Sequence, residues 1–86
     1  MVEVFTTNVE DSNHARLLVA AIHSTFNDYT ANFDLDDCDK ILRIECNSGY
    51  IQASSVVALL EAFGFTAEIL PDGEYQDVFA KLKRWI

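Results

Sequence analysis

The stretch YTANFDLDDCDKILRIEC, Tyr29 to Cys46, decides the fold. Its first part alternates, with Tyr29, Ala31, Phe33 and Leu35 on one side. Its last part alternates again, with Leu42, Ile44 and Cys46 set against Ile41, Arg43 and Glu45. A period of two belongs to a strand with one buried face. The polar link Asp36 to Asp39 joins the two runs, so the stretch predicts a β-hairpin.

Upstream, DSNHARLLVAAIHSTF carries Ala15, Leu18, Val19, Ile22 and Phe26 at three- and four-residue spacing. That is the apolar stripe of a helix. Asp11 or Ser12 can accept bonds from the free N–H groups of its first turn. Before it, VEVFTT, Val2 to Thr7, alternates as a strand. Val2, Val4 and Thr6 are expected on its core face, because Glu3 on the other face would be costly to bury unpaired.

Downstream, Ile51, Val56, Val57, Leu60 and Phe63 predict a second helix, and Gly64 supplies a left-handed stop. FTAEIL, with Phe65, Ala67 and Ile69 on one side, predicts a fourth strand, closed by Pro71, Asp72 and Gly73. The order is strand, helix, strand, strand, helix, strand. It predicts an α+β, ferredoxin-like βαββαβ two-layer sandwich: a four-stranded antiparallel sheet with two helices on one face. The expected domain spans residues 1–70. Residues 71–86 are expected as a C-terminal amphipathic helix, with Tyr75, Phe79 and Leu82 on its apolar stripe and the basic residues Lys81, Lys83 and Arg84 late, where they suit the helix dipole.

The chain has 86 residues, enough for one domain, and half of them are hydrophobic. Fourteen acidic residues against six basic ones give a net charge of -8, which repels phosphate backbones and anionic membranes. Nucleic-acid and membrane partners are not expected. No apolar run approaches the roughly 20 residues of a membrane span. The N-terminal MVEVF does not read as a signal peptide, so a cytoplasmic location is expected.

Two motifs carry a family resemblance. ANFDLDDCDKILRIEC and VVALLEAFGFTAEIL, the latter with Gly64, Phe65 and Ala67 in place, resemble the second and third strands and the second helix and last strand of the heavy-metal-associated (HMA) domain family. The resemblance implies the ferredoxin-like fold. The family's metal site is a Met-x-Cys-x-x-Cys loop after the first strand. Its cysteines would fall at Glu10 or Asp11 and at Asn13 or His14, and its methionine at Thr7 or Asn8. Soft metals prefer sulfur, and none stands there. The resemblance therefore carries the fold and not the metal site, and no cofactor is expected.

Other residues with chemistry are few. Cys46 and His14 offer the start of an atypical soft-metal (Cu or Zn) site, if the third strand runs parallel beside the first and brings Cys46 to the start of the first helix. The bland reading makes Cys46 a small buried hydrophobe. Cys38 is expected at the opposite end of the sheet, between Asp37 and Asp39, unlike the electropositive settings of nucleophilic cysteines. His23 reads as a surface histidine near a helix C-terminus. Asp34, Asp36 and Glu45 fall at calcium-loop positions one, three and twelve, but Cys38 and Asp39 break that pattern. No serine has a readable histidine–acid partnership, and no glycine-rich phosphate loop exists.

These residues predict a non-enzymatic binding or interaction module. Its expected contact places are the edge strands, the open sheet face, the tail stripe at Tyr75, Phe79 and Leu82, and a cleft at Asn8, His14 and Phe65. A protein partner or a second copy is the expected ligand, and metal is not. A soft-metal carrier is the alternative, and a small-molecule regulatory domain, by fold analogy, is the third.

Overall fold

The computed structural model describes residues 1–70; the tail helix expected over 71–86, with Tyr75, Phe79 and Leu82, lies outside the described residues. The elements are β1 (Val2–Thr7), α1 (Ser12–Thr25), β2 (Tyr29–Asp34), β3 (Ile41–Cys46), α2 (Ala53–Ala62) and β4 (Ala67–Ile69). The strands form one sheet in the order β2-β3-β1-β4, and every neighbouring pair is antiparallel. The chain is an α+β sandwich of four antiparallel strands and two helices.

One core fills the space between sheet and helices. Leu18 and Ile22 of α1, Val56 and Leu60 of α2, Phe5 of β1, and Leu42 and Ile44 of β3 are all fully buried within it. Ala31, Cys46 and Ala67 complete the sheet's contribution. Both helices therefore lie on one face. The helix stripes and the alternation in β2 and β3 are as the residue spacing predicts.

β1 faces the other way from its expectation. Phe5 pairs across to Leu42 and points at the helices with it, while Val4 joins Ile41 and Leu70 in a small separate cluster. The side-chain period of two makes this an all-or-none choice for the strand. Burying a phenyl ring outweighs burying a valine by roughly the value of two or more methylenes. Glu3 tolerates the choice because it lies at the start of the strand and stays half-exposed.

α2 ends in a Schellman motif. The Phe65 N–H donates to the Leu60 carbonyl at 2.9 Å and the Gly64 N–H to the Glu61 carbonyl at 2.9 Å. Gly64 has φ +89, a conformation that costs an L-residue about 1–2 kcal/mol. No heavy atom lies within 4 Å of a Cβ built there, so Gly64→Ala isolates the backbone cost. That variant should unfold about 1–2 kcal/mol more easily in a urea titration, with its m-value unchanged. A loss under a few tenths of a kcal/mol would show that the stop is not held in this geometry.

The β2–β3 turn is bound to the end of β1. The Thr7 hydroxyl donates to the Lys40 carbonyl at 2.6 Å, and the Thr7 N–H donates to the Asp39 carbonyl at 3.2 Å. Lys40 takes a positive φ of 49 at the exit of this turn, and its Nζ donates to the Leu35 carbonyl. Among the described residues, no helix is long and apolar enough to cross a membrane.

Candidate functional site

The loop from Asn8 to Asp11 is where the metal-site question is decided. Asp11 is the N-cap of α1, its carboxylate accepting the Asn13 N–H at 2.7 Å. Asn8 Oδ1 accepts the Thr66 N–H at 2.9 Å and so ties the loop to the approach of β4. Arg16 donates to Asn13 Oδ1 at 2.6 Å. The His14 ring lies 5.3 Å from the Phe65 ring, tilted by 54°. Asn8, His14 and Phe65 are thus gathered at one place. Val9, in the same loop, is fully buried and anchors it, a role that a lone valine among polar residues did not signal.

The pairing of Cys46 with His14 does not occur. β1 and β3 are antiparallel, with Thr6 opposite Ile41 and Val2 opposite Glu45. Cys46 therefore sits beside the start of β1, where its N–H donates to the Met1 carbonyl, while His14 follows the end of β1. A helical crossover returns the chain to the bottom of the sheet, so the hairpin reverses β3 relative to β1. Cys46 is buried in the core.

The same reversal moves Cys38. Its turn lies at the β1–α1 end of the sheet, not at the opposite end. The ligand atoms of Asp37, Cys38 and Asp39 lie within 4.8 Å of one another, but Cys38 is exposed and Asp37 Oδ1 already accepts the Asp39 N–H at 2.8 Å. That is an Asx turn stabilising the hairpin. The calcium-loop spacing is empty of geometry as well: Asp34 is opposite Ile41 and Glu45 opposite Thr30, four residues apart along the ladder. Glu45 pairs instead with Arg43 at 2.7 Å on the sheet surface, where such pairs are worth little.

One concavity among the described residues is not singled out by sequence spacing. A groove of about 470 Å³ runs between the first turns of α1 and the last residues of β2, walled by Val19, Phe33 and Leu35 and rimmed by Arg16, Asp34 and Asp36. Its cause is local: Ala15 and Ala31 face the interior here, and their short side chains leave helix and strand unfilled between them. β2 is also an edge of the sheet.

That edge is partly closed from within. The Ala31 N–H points away from β3 and donates to His23 Nε2 at 3.1 Å, and the Tyr29 N–H donates to the Phe26 carbonyl at 3.2 Å. His23 is an exposed histidine in the last turn of α1, as its position predicts, and its Nε2 in addition caps the edge strand as an acceptor. In an antiparallel ladder the outward groups recur at every second residue, so the next outward pair is the N–H and C=O of Phe33. Neither group has a hydrogen-bond partner among the described residues.

Comparison with protein-family models, with curated proteins and with solved structures yields no match.

Proposed function

We propose that this chain is a non-enzymatic interaction module, a ferredoxin-like βαββαβ domain of the HMA type that retains the scaffold without a cysteine metal loop. The observation that carries the reading is the state of the β1–α1 loop. Asp11 caps α1, Asn8 holds Thr66, Asn13 holds Arg16, and His14 packs on Phe65. The side chains that stand where the family has its ligands are engaged in shaping the loop. What the surface offers in their place is an edge strand beside an apolar groove, a combination suited to a protein partner. The separation of Cys46 from His14 speaks against the soft-metal carrier.

Metal analysis tests this directly. Full-length protein purified without an affinity tag, then titrated with Cu(I) and with Zn(II) under reducing conditions, should hold no stoichiometric metal. A one-to-one soft cation that is lost in the Cys46→Ser or Cys38→Ser variant would overturn the reading.

A further inference from the structure

We propose that the groove between α1 and β2 binds an extended, basic segment of a partner protein, which adds as a short strand at Phe33 and seats an apolar side chain against Val19. This rests on the interaction-module reading and names its partner's chemistry.

The backbone supplies the first half of the argument. Phe33 offers an outward N–H and C=O, and a strand residue placed opposite it forms both bonds. Directly opposite residues project to the same face, so that residue's side chain enters the groove beside Val19 and Phe33. The flanking residues of the partner project to the other face, as Asp34 does. His23 on the Ala31 N–H stops the added strand from running further toward Tyr29.

Charge supplies the second half. Neither Asp34 nor Asp36 has an ion-pair partner among the described residues. The two cations nearby are engaged: Arg16 donates to Asn13, and Lys40 to the Leu35 carbonyl. A partner that alternates apolar and basic residues matches the pattern of groove and carboxylate along this edge. A second copy of the chain fits worse. Each copy carries a net charge of -8, and pairing of two β2 edges about Phe33 would call for the Ala31 N–H that His23 holds.

The test uses the full chain and an acetylated, amidated peptide, Lys-Val-Lys-Val-Lys-Val, followed by amide chemical shifts in NMR. Shifts should centre on Phe33, Asp34, Leu35 and Val19. N-methylation of the central valine's amide should weaken binding about tenfold, since it removes one strand bond without touching the protein. The Asp34→Asn, Asp36→Asn double variant, exposed at both positions, should also weaken it about tenfold, and replacing lysine by glutamate in the peptide should abolish it. Equal binding of the acidic or the N-methylated peptide would overturn the proposal. So would shifts centred on β4, or no shift at millimolar peptide. None of these outcomes bears on metal content, so failure here leaves the metal analysis as the separate judge of the module itself.

Discussion

Phe5→Ala should cost about 3–5 kcal/mol of stability, against a total on the order of 4–13 kcal/mol for a chain of this length. Phe5 has no exposed surface and sits on a central strand, between β3 and β4 and under both helices. Truncation removes the ring's burial and leaves a cavity that rigid neighbours on three sides cannot close. With a urea m-value near 1 kcal/mol/M, the midpoint should fall by about 3–5 M. Val2→Ala is the control: Val2 is 43% exposed, and its loss should stay within about 0.5 kcal/mol. If the two variants cost the same, β1 presents its other face to the helices.

Leu60→Ala should be the next most damaging change, at about 2–5 kcal/mol. Leu60 is fully buried, and its carbonyl also accepts the Phe65 N–H that closes the end of α2. The residue thus belongs to the core through its side chain and to the helix stop through its backbone. The hydrophobic contact that accompanies a Schellman motif joins C3 to C″, here Leu60 to Phe65, and Gly64 is the turn that brings Phe65 back, so the Leu60→Ala, Gly64→Ala double variant should be non-additive by at least about 0.5 kcal/mol. Strict additivity in urea unfolding would mean that stop and core are independent.

How far the fold was legible depends on which forces set each element. The alternations of β2 and β3 and the stripes of α1 and α2 are local patterns, and they place Leu18, Ile22, Leu42, Ile44, Val56 and Leu60 in the core. Gly64 announces its own conformation. β1 is the exception because two rules compete in it. The cost of burying Glu3 falls on the strand's start, where solvent still reaches, while the gain from Phe5 falls at its centre. The strongest local rule therefore pointed the wrong way.

The site was less legible, for a topological reason. Asn8, His14 and Phe65 converge because β1 and β4 are neighbours, which follows from element order. Cys46 and His14 part because that same order reverses β3 against β1. The bond from Ala31 to His23 joins a helix to a strand edge through one imidazole nitrogen, and no periodicity encodes it. The groove depends on two alanines being small at facing places, a fact about pairs and not about either residue.

The imidazole on the Ala31 amide has a consequence for how the molecule keeps company. A sheet border with all its amides bare is a template on which copy after copy can stack, the route to fibrous deposits. Here, along β2, the outward amides of Tyr29 and Ala31 are already bonded, and the outward N–H that is left open is that of Phe33. Along β2 the chain can offer its margin for recognition while presenting only a short template to another copy of that strand.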